Sequence, residues 1–281
     1  MRPIAAPAAR VAAAVALALL VSCADMPGRG RVVALGGIRL YYEARGYGRP
    51  LLLLHGGGGS GRQFSNQVPF FERHFRVIVP DLRAQGRTSD GPGPLTYHRM
   101  ADDVLALMDH LRVKRADVMG WSDGGIVGLD LAIHHPERVG HLALFGVNFT
   151  PAGFTPAAAD WIAGASAESF GGPARAEYER DAPDPSHYDI AMGKIIAMWR
   201  TQPTFTLAQL RAVRASTLVA AGEHDMIALD HTRDLARAIP GAKMWIVPSA
   251  THAVILEQPA LVNHTVLEFL HDHPIHGTRR P

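Results

Sequence analysis

The chain has 281 residues, 47% of them hydrophobic, and a formal net charge of +2. That length provides for one large α/β core, or for two smaller domains. The surplus charge comes from Arg2 and Arg10, since no acid precedes Cys23 and the remaining 26 basic residues face 26 acidic ones; this balance excludes an electrostatic claim on nucleic acid or another polyanion.

Arg2 and Arg10 form a basic n-region, and residues 11–21 are an apolar run. A bilayer-spanning helix needs about 20 residues, so this run is too short to cross. Leu20-Val-Ser-Cys23 follows at once and resembles a bacterial lipobox, in which the cysteine receives lipid and becomes the new N-terminus. Residues 1–22 therefore read as a lipoprotein-type signal peptide, Cys23 as the lipidation site, and the mature protein as extracytoplasmic and membrane-anchored. An ordinary cleaved signal with an incidental Cys23, giving a secreted or periplasmic protein, is the alternative. Stable anchoring takes two or more acyl chains, as a mature bacterial lipoprotein would carry. Cys23 is the only cysteine, which excludes an internal disulfide. Residues 23–31, with Pro27, Gly28 and Gly30, read as a flexible tether.

Two alternating runs, 32–35 and 38–44, flank Gly36-Gly37 as in a hairpin. Residues 50–54 are uniformly apolar, a strand covered on both faces. The four glycines after His55 lack the Gly-Lys-Ser/Thr ending of a phosphate loop. Their bare N–H groups fit an oxyanion instead, with Gly57 as donor and His55 tying down its loop. A helix is expected over 63–73, a strand over 75–80, a surface loop over 81–89 and a helix over 99–112. Asp102 and Asp103 fall in the first turns of that last helix, where acids suit the dipole better than a metal site. Residues 116–121 form a strand and 123–135 a helix stopped by Pro136, with His134 and His135 as surface groups at its end. A strand at 141–147 precedes residues 149–215, where strands vanish and short helical patterns appear near 157–168, 173–180, 187–200 and 207–213. This segment reads as a helical cap insertion, its Trp161, Phe170, Tyr178, Met192, Met198 and Trp199 divided between cap core and acyl pocket. Strand 216–221, helix 230–238, strand 243–247 and helix 259–271 follow, and 273–281 is a polar tail.

Strands separated by helices define a mostly parallel, doubly wound α/β sheet over 32–148 and 216–272. Between one buried strand and the next helix lies Gly120-Trp-Ser-Asp-Gly124, a turn that exposes Ser122 as a nucleophile. Composition alone would yield such a motif about once in ten chains of this length; its strand–helix setting makes it rarer. Two later strand ends carry Asp225 and His252, so the order is Ser, acid, His. His252 would take the Ser122 proton, while Asp225 fixes its tautomer. Glu223 and Asp230 are rival acids, but Asp230 reads as a helix cap.

From about Val33 to Leu270 the chain resembles the α/β-hydrolase superfamily of serine hydrolases, and Gly120-Trp-Ser-Asp-Gly-Gly125 is similar to the elbow of the valacyclovir hydrolase, or biphenyl hydrolase-like, group. The resemblance implies a cofactor-free, metal-free esterase using Ser122, Asp225 and His252, with the Gly57 and Asp123 N–H groups as oxyanion hole. It also implies that the Asp123 side chain binds a substrate amine; an acid favoured at a helix start is the competing reading. Trp121, Asp123 and Trp199 are the candidate substrate contacts, and small or amino-acid-type esters the candidate substrates. Ala84-Gln85-Gly86 departs from the Gly-His-Gly of many relatives, in a loop read as peripheral to the triad. C–C bond hydrolysis and perhydrolysis use the same three residues, and a non-catalytic membrane-tethered receptor is the alternative of another class. The sequence specifies no oligomeric state. If Cys23 carries the anchor, a Cys23→Ala protein expressed in a bacterial host loses both acyl label and detergent partitioning; retention of both refutes lipidation.

Overall fold

A computed structural model describes residues 30–272. The signal peptide, Cys23 and the tail from residue 273 lie outside the described residues. Strands β1 (Arg31–Leu35) and β2 (Ile38–Arg45) form the hairpin. Gly36 and Gly37 both take positive φ, 56° and 80°, as a turn matched to strand twist demands. Strands β3 (Pro50–Leu54), β4 (Arg76–Pro80), β5 (Ala116–Trp121), β6 (Val139–Phe145), β7 (Ser216–His224) and β8 (Lys243–Thr251) complete one sheet in the order β1-β2-β4-β3-β5-β6-β7-β8. Pairing is parallel from β4 through β3 to β8, and antiparallel only around β2.

The apolar runs of β3 and β5 alternate between two cores. Leu52, Leu54 and Val118 face one cluster, and Leu51, Leu53, Met119 and Trp121 the other. Helices cover both faces. Among them, α1 (Val68–Phe71) and α10 (Pro259–Leu270) pack on the second cluster, while α2 (Tyr97–His110) and α3 (Asp123–His134) pack on the first. Burying every residue of the central strands on both faces is what a parallel sheet requires.

Four local expectations need correction. The helix expected over 63–73 is a 3₁₀ turn at Gly61–Phe64 followed by α1, because Pro69 lacks an N–H and is tolerated only in a first turn. The 99–112 helix starts earlier, at Tyr97, where the Thr96 hydroxyl caps it by accepting from Arg99 N. Asp102 and Asp103 therefore sit in its second turn, and Asp103 is buried, accepting two hydrogen bonds from Arg83 at 2.6 and 2.7 Å. The loop after β4 is not at the surface: Asp81, Leu82, Arg83, Ala84, Gln85 and Thr88 are all buried. Its Asp81 is paired inside the protein, accepting from Gly61 N, Arg87 N and the Arg87 guanidinium.

Between β6 and β7 the chain forms α4 (Pro156–Gly164), α5 (Gly171–Asp181), α6 (Tyr188–Thr201) and α7 (Leu207–Arg211). This insertion is tied to the core by Arg62–Asp181 at 3.1 Å and by His187 and Lys194 on Asp90. The remaining helices are α8 (Leu229–Ala238) and α9 (Val254–Glu257). Asp230 lies inside the first turn of α8 rather than capping it, and pairs with Arg233.

Burial outweighs the Arg83 pair and pushes the Asp103 carboxyl up, so removing its partner is costly. Arg83→Met should lower unfolding free energy in urea by about 3–5 kcal/mol. Adding Asp103→Leu should recover much of that loss if the unpaired charge is its cause.

Candidate active site

Ser122 joins β5 to α3 with φ 53° and ψ −122°, a conformation that costs a non-glycine residue about 1–3 kcal/mol. The surroundings leave no alternative. A Cβ on Gly120 would lie 2.5 Å from Gly124 O, and one on Gly124 only 2.0 Å from Leu54 O. Ser122 N donates to Phe145 O at 2.8 Å, and Ser122 O accepts from Ile126 N at 3.0 Å, which fixes both ends of the turn.

His252 follows β8 and Asp225 follows β7, so parallel pairing brings both to the sheet edge where Ser122 sits. His252 Nε2 is 2.9 Å from Ser122 Oγ, and His252 Nδ1 is 2.7 Å from Asp225 Oδ1. Asp225 Oδ1 also accepts from Ile227 N, while Oδ2 is buried without a donor among the described residues. The contact on Nδ1 holds the tautomer that leaves Nε2 able to accept. The Trp121 indole donates to His252 O at 2.7 Å and fixes that loop. Of the rival acids, Glu223 accepts from Ser249 N and Asp230 pairs with Arg233, both away from His252.

The glycine loop leaves one N–H uncommitted. Gly56 N donates to Gln63 Oε1 and Gly58 N to Gln85 Oε1, whereas the Gly57 and Asp123 N–H groups meet no acceptor among the described residues. Gln85, in the loop read from sequence as peripheral, thus holds the glycine loop. His55 is fully buried, with Nε2 accepting from Leu82 N and Nδ1 at 2.8 Å from Gly56 O. Burial lowers its pKa, so it is a neutral tie between two loops.

Asp123 is not a surface acid. Its carboxylate is buried and accepts from Tyr97 Oη at 2.8 Å and from Trp199 Nε1 at 2.9 Å to each oxygen. It joins α2, the elbow and the insertion at one point. Burial raises its pKa to about 6 despite these donors. A Cβ on Gly57 would fall 2.2 Å from Asp123 Oδ2 and 2.7 Å from the Trp199 ring, so glycine at 57 is needed for this approach. Tyr97 has no sequence signal, because an aromatic residue opening an amphipathic helix reads as core.

Trp121, Asp123 and Trp199 all line the cavity beside Ser122, with Phe154 and Trp161. It is narrow and mostly apolar, about 40 Å³ of free space, room for about three water molecules. Of the other aromatic and Met residues of the insertion, Phe170 stacks edge-on against Trp161 and Tyr178 against Tyr188, while Met192 and Met198 are buried in its packing.

Residues 49–182 match the model of a family described as having the alpha/beta hydrolase fold. The chain is 30% identical over 266 residues to a RutD protein of Rhizobium rhizogenes, provisionally named a carbamate hydrolase, covering 82% of this chain and 97% of that one. Among solved structures it is similar to a hydrolase from Pseudomonas aeruginosa, with 30% identity, TM-score 0.69, and coverage of 87% of this chain and 99% of that one. It is also similar to a thermophilic esterase from Thermogutta terrifontis, with 27% identity, TM-score 0.68, and coverage of 87% and 98%.

The raised pKa of the Asp123 carboxyl makes its contribution to stability depend on pH. A carboxyl that ionises at 3.8 when unfolded and about 6 when folded keeps its proton longer in the native state, so its contribution is full below about pH 4 and lost as pH rises through 6. Relative to Asp123→Asn, the wild type should therefore lose about 2 kcal/mol between pH 4.5 and 7.5. Urea unfolding of both proteins at the two pH values checks it; a pH-independent difference would contradict the raised value.

Proposed function

The chain belongs to the α/β-hydrolase family, and from that premise we propose that it is a serine hydrolase that cleaves small carboxylic esters through an acyl-enzyme. The observation that carries this reading is the continuous line from Ser122 Oγ through His252 to Asp225, at 2.9 and 2.7 Å, beside two uncommitted N–H groups. In the proposed reaction His252 Nε2 takes the Ser122 proton as Oγ attacks the ester carbonyl carbon. The negative oxygen of the tetrahedral intermediate accepts from Gly57 N and Asp123 N, each donor worth about 10²–10³ in rate. His252 then gives its proton to the leaving alcohol. Water, deprotonated by the same imidazole, attacks the acyl carbon and releases the acid and Ser122.

The narrow, aromatic cavity favours a short acyl group. The Asp123 carboxylate already accepts from two residues and braces the Trp199 wall, so we assign its side chain to positioning; a substrate ammonium would have to displace that indole. The lipobox-like segment ending at Cys23 supports an extracytoplasmic, lipid-tethered location. Among the described residues no helix is long and apolar enough to cross a membrane.

Purified protein should hydrolyse p-nitrophenyl acetate faster than longer acyl esters or amino-acid esters, and react with a fluorophosphonate. Ser122→Ala should lose at least about 1000-fold in kcat/KM and all labelling. Persistent labelling of the variant would remove Ser122 as nucleophile, and a preference for amino-acid esters would return substrate recognition to Asp123.

A further inference from the structure

Away from the cavity, three side chains converge on one point where α2 meets α3. His98 lies in the first turn of α2, and Asp130 and His134 are one turn apart on α3. His98 Nδ1 is 2.9 Å and His134 Nδ1 3.0 Å from the same oxygen, Asp130 Oδ1. The three potential donor atoms all lie within 4.8 Å of one another. By sequence His134 is a surface group at a helix end, and nothing local links it to His98, thirty-six residues earlier.

We propose that His98, Asp130 and His134 form a binding site for a divalent ion of the zinc class, which clamps the start of α2 to α3. Two imidazole nitrogens and one carboxylate oxygen are the donor set that suits Zn²⁺ and its neighbours. Two donors on a tetrahedral zinc stand about 3.4 Å apart, so the nitrogen-to-oxygen spacings need to open only slightly. The adjustment required is chiefly between the two imidazoles. His98, whose side chain is 57% exposed, can swing to supply it, whereas Asp130 is held at 4%. The same exposure gives the ion a route from solvent and leaves further positions for water. Asp102, one turn beyond His98 on α2, adds negative charge to this face.

The site reaches the catalytic region through the helices alone. His98 follows Tyr97, whose hydroxyl bonds Asp123, and Asp130 lies on the helix that Asp123 begins. An ion there would hold together the two helices whose ends meet at that carboxylate. Because a ligand that binds only the folded state stabilises it, the clamp is read as a rise in Tm.

The test titrates ZnCl2 into the chelator-free full-length protein by calorimetry, alongside His98→Gln and Asp130→Asn. The expected result is one micromolar site per chain and a Tm that rises with zinc. Each variant should weaken that site by about tenfold or more, since even the loss of outer-shell partners reaches that. Absence of the site in the wild type, or unchanged affinity and Tm response in His98→Gln, overturns the proposal and assigns any zinc uptake to the other histidines of the chain. His98 is exposed, so its variant decides the question even if Asp130→Asn does not fold.

Discussion

The backbone at Ser122 is bent into a left-handed turn that its own side chain disfavours, and the surrounding architecture is what holds it there. Strand β5 is buried over its whole length, α3 packs back against it, and the two approach so closely that Gly120 and Gly124 have no room for a Cβ. Gly124 presses on Leu54 O at the end of β3, which brings the glycine loop alongside the nucleophile. The glycine loop and Ser122 are thus set relative to each other by one packing contact between backbones. Strain at such a point persists only when its neighbours over-determine it.

A layer of buried polar groups supports this arrangement from behind. Gln63 and Gln85 take the N–H groups on either side of Gly57, His55 joins its loop to Leu82, and Asp81 with Arg87 and Arg83 with Asp103 fill the loop after β4. Groups of this kind cost free energy when left unpaired and rigidify a site when fully satisfied. Their presence explains why a loop rich in charge is buried: the Asp81 carboxylate, the Thr88 hydroxyl and the Arg83–Asp103 pair all find partners there.

The insertion contributes differently. It makes no strand of the sheet, and its contact with the elbow runs through Trp199 on Asp123. The core fixes reaction chemistry while the insertion fixes the walls of the cavity, which fits a family whose relatives carry names as different as esterase and carbamate hydrolase. Fold alone does not choose among such substrates; in this chain Phe154, Trp161 and Trp199 line the cavity beside Ser122.

The sequence by itself determined the order of strands and helices, the nucleophile turn and the chain order of Ser122, Asp225 and His252. These signals are local: an apolar run, a glycine two residues either side of a serine, an acid or histidine just past a strand. Boundaries drifted by a few residues where capping by Thr96 or the placement of Pro69 outweighed hydrophobic periodicity. The tertiary structure alone decided which polar residues are inside. Asp123 and Asp103 both read as acids near a helix start, yet one braces an indole from the insertion and the other faces an arginine twenty residues earlier in the chain. A carboxylate's burial depends on donors brought in from distant segments, and no local pattern records where those donors will arrive.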